Sequence, residues 1–460
     1  MSDPFRLALL SYNYAPEPTG IPAFNTAMAE WLVAKRGWRV TVFTGIPHYP
    51  WWKVPADYAA RDYRHGRGDE IINGVEVRRV RHFVPQPAPS GLARMRLDAS
   101  WLWRTTWRVL TDSGRHDVVM VVAPPFLSGF LGLLAGWWWR CPVVYHIQDL
   151  QVDAARDLKM LPRWLIPVLA WLEKLQLRRV DLVTTICRGM QRRVADKTAT
   201  RLPVGLMPNW ADCSQMEPWD GPNAYRAAWK VAEDDVVIAY SGNLGRKQGL
   251  EYLIAAFALL SDLTKVQLVI AGDGAERAGL ERLAEQRGAR VRFMDLVPAD
   301  RLREFIAAAD IHCVPQLRAA AGLVMPSKLL NLMALERPVV VTADPETDLA
   351  QAVSQAGCGL VVTPEDAPAL AAALRYLVSD PQLRVEMGPK GRAHVLATYD
   401  IEQVLGSFAQ QMRRLAMPEM PVLAPVAAPR ASARTTARTS ARTTPVHAPI
   451  LFPMKTPHAF

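Results

Sequence analysis

The segment SGNLGRKQGLE, residues 241–251, follows an apolar run and opens the helical pattern LEYLIAAFALL. Gly242, Gly245 and Gly249 let the backbone approach a ligand closely, and Arg246 and Lys247 add positive charge where the helix begins. Free N–H groups at a helix start, with cations beside them, suit a diphosphate. The spacing fits neither the Walker pattern nor GxGxxG, which argues against a nucleoside triphosphatase or a simple dehydrogenase. The plain alternative is a tight strand-to-helix turn with solvated charges. A second place of this kind lies in RAAAGLVMPSKLLNLMALERPVVV, which begins at Arg318. Pro326, Ser327 and Lys328 open an apolar helix there, with Ser327 able to cap it. A lysine near the positive end of a helix is unfavourable unless an anion is present. Two such helix starts, each with a lysine, can grip one diphosphate from two sides.

To hold two helix starts against one ligand, the chain needs a rigid frame, and the hydrophobic pattern supplies one. Apolar runs at Arg6–Ser11, Arg39–Thr44, Val75–Val80, Val118–Ala123, Val143–Ile147 and Leu182–Ile186 read as strands. Phe24–Arg36, between the first two, has helical spacing and Gly37 as its stop. Runs such as VVMVV are apolar throughout, as in a parallel sheet covered on both faces. A second series follows at 236–242, 266–272, 291–297, 311–315, 338–344 and 359–363. The expectation is α/β: two Rossmann-like domains, 1–204 and 236–397, facing a cleft and joined by a linker over 205–235. A helix over 398–417 and a disordered Pro/Ala/Arg/Thr-rich tail over 418–460 complete the chain.

Composition narrows the partners. The 460 residues carry a net charge of +10, to which the tail adds +4 (Arg430, Arg434, Arg438, Arg442 and Lys455 against Glu419), leaving +6 for 1–417. A basic body suits anionic partners. Five cysteines, 141, 187, 213, 313 and 358, form no CxxC pair; the expectation is a reducing compartment without a disulfide framework or zinc site. No signal peptide is evident, and the longest apolar stretch, Pro124–Trp139, falls short of the ~20 residues that span a bilayer. Trp101, Trp103 and Trp107 stand among Arg94, Arg96, Arg104 and Arg108, with a second Trp/Leu/Arg set over 162–180. Tryptophan beside basic residues on helices reads as contact with an acidic membrane surface, although Trp and Leu also fill cores. No nucleic-acid-binding motif accompanies them.

The ordered motifs SYNYAPEPTGI, HIQDLQVDAA, PNW, SGNLGRKQGLE, VIAGDGAERAGLE and MPSKLLNLMA resemble glycosyltransferase family 4, retaining enzymes of the GT-B fold. The likeness covers residues 6–415 and is nearest to the fucosyltransferase-like subgroup of colanic-acid and exopolysaccharide biosynthesis. It implies that Lys247 contacts the leaving diphosphate, that Pro326, Ser327 and Lys328 form the phosphate-binding helix start, and that Gly272 and Asp273 lie near the nucleoside. It places Leu296 and Val297 beside the base. Asn243 stands where the family carries an arginine, leaving Arg246 or Arg318 to supply that charge; Leu323 and Asn331 stand where it carries paired glutamates. In the first domain the resemblance assigns Glu17, Thr19 and Gly20 to a loop beside acceptor and phosphate. It assigns His146 to the transferred sugar, with Asp149 and Asp153 at the cleft edge. The implied reaction uses a GDP- or UDP-sugar and a polyprenyl-diphosphate-linked saccharide at the inner face of the cytoplasmic membrane, with no metal and no cofactor. A nucleotide-sugar epimerase and a non-catalytic donor-binding scaffold are the alternatives.

Overall fold

A computed structural model describes residues 3–87, 91–157, 162, 164–198, 204–320 and 327–417. The expected tail from Pro418, together with Pro326 and Leu323, lies outside the described residues.

Two sheets organise the body. The first contains β1 (Arg6–Leu10), β2 (Arg39–Gly45), β3 (Glu70–Ile72), β4 (Val75–Val80), β5 (Val118–Ala123), β6 (Val143–Ile147), β7 (Leu182–Thr185) and β8 (Val204–Leu206). Their order is β3-β4-β2-β1-β5-β6-β7-β8, parallel except for the short β3. The second contains β9 (Val236–Ser241), β10 (Val266–Ala271), β11 (Val291–Met294), β12 (Ile311–Val314), β13 (Val339–Thr342) and β14 (Gly359–Val362). It is parallel throughout, in the order β11-β10-β9-β12-β13-β14. Strands β5 and β6 are buried along their whole length, which is why they read as unbroken apolar runs.

Each face of the first sheet has its own helical cover. On one side, Met28 and Leu32 of α1 (Ile21–Arg36) pack against Leu7, Leu9 and Val40. On the other, Trp101 and Val109 of α2 (Gly91–Leu110) and Leu131 of α3 (Ser128–Trp139) pack against Leu10, Phe43 and Val121. Leu177 of α4 (Leu165–Leu177) and Met190 of α5 (Arg188–Thr198) continue that layer. The second sheet is covered by α6 (Leu250–Ala258) on one face and by α7 (Ser327–Ala334) and α8 (Asp348–Ala356) on the other.

Two expectations need correction. The segment over 205–235 is more than a connector, because Leu206 completes β8 and Ala224–Trp229 forms a helix capped by the Asn223 side chain. Trp101 is fully buried in the first core, whereas Trp103 and Trp107 face solvent. The buried set Leu97, Trp101, Thr105 and Val109 recurs every fourth residue, so one stripe of α2 meets the sheet and the other tryptophans cannot.

The last described helix, α9 (Ile401–Ala416), starts at Asp400, whose carboxylate accepts from the Glu402 N–H at 3.1 Å. It packs against the first sheet, not the second: Leu405, Phe408 and Met412 join Leu7, Met28 and Leu32. The Trp31 indole donates to Glu402 at 2.9 Å.

Candidate active site

In the second sheet β9 neighbours both β10 and β12, so the strand order reverses beside it. A crevice opens at such a point, outside the carboxyl ends of the strands. The loop following β9 occupies it. Gly242 has φ 136° and Gly272 φ 150°, and a Cβ on Gly272 would lie 1.8 Å from the Gly242 carbonyl oxygen. Only glycine permits the two loops to touch there. Their contact is fixed by the Gly242 N–H donating to Ala271 at 2.9 Å and the Leu244 N–H donating to Asp273 at 2.8 Å.

Lys328, in the first turn of α7, reaches the same point. Its Nζ is 4.0 Å from the centre of the Tyr240 ring and 2.8 Å from where a Gly242 Cβ would stand. Burial lowers its pKa to about 7, and no carboxylate pairs with it among the described residues. Ser327 beside it is exposed, and Asn331 is half-buried one turn further along. Arg246 and Lys247 are exposed on a single turn of 3-10 helix, held by the Leu317 N–H, which donates to the Lys247 carbonyl at 3.0 Å. Asn243 is exposed next to them. The Arg318 guanidinium stands 3.7 Å from Asp344, and its backbone N–H donates to Glu365 at 3.1 Å. On the other side of the crevice, Leu296 is exposed and Val297 half-buried after β11.

Across from these cations, the first domain presents the carboxyl ends of β1, β5 and β6. Asp149 keeps contact with solvent but is walled by protein; this enclosure raises its pKa, while the Lys247 charge opposes the rise. Lys247 and Asp149 therefore feel each other across the cleft. Gly20 (φ 74°) begins α1 with no side-chain cap, leaving the first N–H groups of that helix without a side-chain acceptor, and Thr19 beside it is half-buried.

Three expected site residues are engaged elsewhere. Glu17 is buried, and its Oε1 accepts from the His48 and Tyr49 N–H groups, each at 2.8 Å. It clamps the loop after β2, so the role of acceptor ligand is corrected to that of a support; burial raises its pKa. His146 lies inside β6, in register with Val122 and Thr184, and its Nδ1 is 2.9 Å from the Thr184 hydroxyl. Burial pushes its pKa down to about 3, so the ring is neutral and enclosed rather than presented to a sugar. The end of that strand belongs instead to Gln148, whose N–H donates to Ala123 at 3.2 Å, and to Asp149. Asp153 is buried in an ion cluster with Arg156 (2.8 Å), Lys197 and Glu173. It does not share a helical face with Asp149, because that helix begins only at Gln151.

Comparison with known proteins agrees with this geometry. Residues 19–210 match the model of the glycosyl transferase 4-like domain, and residues 223–394 match that of the glycosyl transferases group 1. WcaI of Escherichia coli (strain K12), which carries the name colanic acid biosynthesis glycosyl transferase, is 32% identical over 421 residues, 89% of this chain and 100% of the relative. The chain belongs to the family-4-like, group 1 glycosyltransferases. Two solved structures have the same fold. Sucrose-phosphate synthase from Thermosynechococcus elongatus gives a TM-score of 0.69 at 21% identity, covering 89% of this chain and 99% of that one. Anabaena Alr3699/HepE in complex with UDP and glucose gives 0.63 at 17%, again covering 89% and 99%. The architecture is thus GT-B.

Within this glycosyltransferase, some residues that shape the cleft were not apparent from motif spacing. Arg277 ties the two loops of the second domain together, donating to Gly272 at 3.1 Å and to Asp295 at 2.8 Å. Tyr240 supplies the ring beneath Lys328 and donates its hydroxyl proton to the Asn243 carbonyl at 2.8 Å. In the first domain, the Tyr12 hydroxyl is 3.1 Å from His48 Nε2, and the two rings cluster with His82 and Trp101 beside the loops after β1 and β2. Nearby Asp98 has its pKa pushed up to about 7 by burial, with Arg94 opposing. These side chains come from separate segments, so no local pattern groups them.

Proposed function

We propose that this glycosyltransferase moves a sugar from a GDP- or UDP-linked donor to a polyprenyl-diphosphate-linked saccharide, with retention of anomeric configuration, in exopolysaccharide biosynthesis at the cytoplasmic membrane. The observation that carries the donor half is the Lys328 amine. It is enclosed, has no carboxylate partner among the described residues, and sits against Gly242 and Tyr240 at the reversal of strand order. A diphosphate completes such a site. Lys247 and the start of α7 then stabilise the negative charge that grows on the diphosphate as the sugar leaves. Asp149, opposite Lys247, is placed to orient the sugar or the incoming hydroxyl. The names of WcaI and of the HepE complex with UDP and glucose support the pathway and the donor class.

The test is a panel of nucleotide sugars first screened for thermal stabilisation, since a ligand bound only by the folded state raises the melting temperature. The stabilising donor is then incubated with and without lipid-linked acceptor. Free nucleoside diphosphate appearing only with acceptor supports transfer. Donor isomerised without acceptor identifies an epimerase, and a bound but unchanged donor identifies a scaffold; either defeats the proposal.

A further inference from the structure

Helix α3 packs between α2 and α4 on the outer face of the first domain. An outer helix of a globular domain normally shows solvent a polar stripe. These three do not. The sequence of α3, SGFLGLLAGWWW, contains no charged residue, yet Trp137 is 72% and Trp138 44% exposed. On α4, Trp164 at its start is 73%, Val168 47% and Trp171 61% exposed. On α2, Trp103 is 63% and Trp107 54% exposed. Six exposed tryptophans on three adjoining helices form an apolar surface of a kind that marks a docking site on a water-soluble body.

We propose that this α2–α3–α4 face is the surface by which the protein seats on an anionic phospholipid bilayer. The proposal rests on the membrane part of the function above and gives that part a location and an orientation. Charge selects the occupant. Only Asp98 and Glu173 are acidic on the three helices; Asp98 is half-buried, and Glu173 is buried against Lys197. The exposed charges on and at the ends of these helices are basic, among them Arg96, Arg104, Arg140 and Arg178. A second copy meeting the patch across a two-fold axis would bring these arginines together, whereas an anionic leaflet attracts them. Tryptophan suits the interfacial depth, where its ring is apolar and its N–H stays wet. None of the described helices is long and apolar enough to cross the membrane, so the contact is one of lying on the surface.

The position of the face bears on catalysis. The start of α2 is joined to the cleft side of the first domain: the Phe83 N–H donates to Ser100 at 2.9 Å, and Arg94 lies 5.8 Å over Trp52, which adjoins His48. A lipid-linked substrate can therefore enter the first-domain side of the cleft while its lipid stays in the bilayer.

Flotation of the full chain with vesicles of phosphatidylcholine and phosphatidylglycerol tests this, at an ionic strength high enough to screen attraction by the basic tail. The variant combines Trp137→Ser, Trp138→Ser, Trp164→Ser and Trp171→Ser. The expected result is vesicle binding weaker by about tenfold or more, because buried apolar area sets interfacial affinity. Thermal stabilisation by UDP or GDP should match the wild type, which shows the variant folded and keeps the donor site out of the outcome. Quenching of wild-type tryptophan fluorescence by lipids brominated along the acyl chain is a second readout that needs no substitution. Equal flotation of variant and wild type, or no quenching, overturns the proposal. So does a wild type that is dimeric without lipid and becomes monomeric on these substitutions. Failure of the vesicle result leaves the sugar-transfer reading untouched.

Discussion

Lys328 sits over an aromatic ring and beside a glycine, with no carboxylate to balance it among the described residues. Burial alone lowers its pKa to about 7. On the proposed donor reading a diphosphate meets the protonated amine, so its affinity should be level below pH 7. Above that it should fall toward tenfold per pH unit, because the free protein must first take up a proton. Calorimetry of UDP or GDP binding at pH 8 in two buffers of different ionisation heat should register that uptake. Lys328→Arg, charged throughout, should abolish it; a pH-independent affinity in the wild type would show that the amine does not meet the phosphates. Lys247 differs, being exposed. Lys247→Ala should leave the melting temperature unchanged and reduce turnover by about 10²–10³, the usual loss when one charge-stabilising group is removed. Near-normal turnover would remove Lys247 from the chemistry. The exposure of Lys247 was legible from its place in a glycine-rich loop. The enclosure of Lys328 was not, since Tyr240 and Gly242 come to it from another strand.

At the scale of elements, Asp348 links the two domains. It belongs to the first turn of α8, yet its two carboxylate oxygens accept from the Arg188 and Gly189 N–H groups, at 3.1 and 2.7 Å, where α5 begins. A carboxylate at a helix start pairs with free N–H groups and with the helix dipole. Asp348→Ala should lower stability by about 0.5–2 kcal/mol in chemical denaturation. Asp348→Asn, which keeps one acceptor oxygen, should recover part of it. A midpoint unchanged in both variants would show the contact to be idle. Strands were the most legible elements, because a buried parallel strand has to be apolar throughout, as VVMVVA is. The side chains at strand ends were less so. His146 lies inside β6 and Gln148 just past its last residue, and only the folded sheet shows where that strand stops. Glu17 was misread for a similar reason, since its partners, the N–H groups of residues 48 and 49, are distant in sequence and lie in a loop.

For the whole molecule, the pattern of two α/β series predicted two parallel sheets, and these are present. The aromatic helices were harder to judge from sequence, because a tryptophan suits a core and an interface equally well. Trp101 is buried in the core, and Trp103, only two residues on, is exposed. The +6 charge of residues 1–417 explains neither the donor crevice nor the outer face by itself; what matters is which arginines and lysines remain exposed. Helix α9 carries a consequence for how the protein is made. Its Leu405, Phe408 and Met412 complete a core that otherwise belongs to the opening residues Leu7 and Met28 and to Trp31, the indole of which is held by Glu402. On the ribosome, the domain synthesised first is therefore the one finished last. One apolar flank of its sheet lacks these side chains until α9, which follows the whole second domain in the sequence, has been made, and α9 then both seals that flank and ties the two halves together.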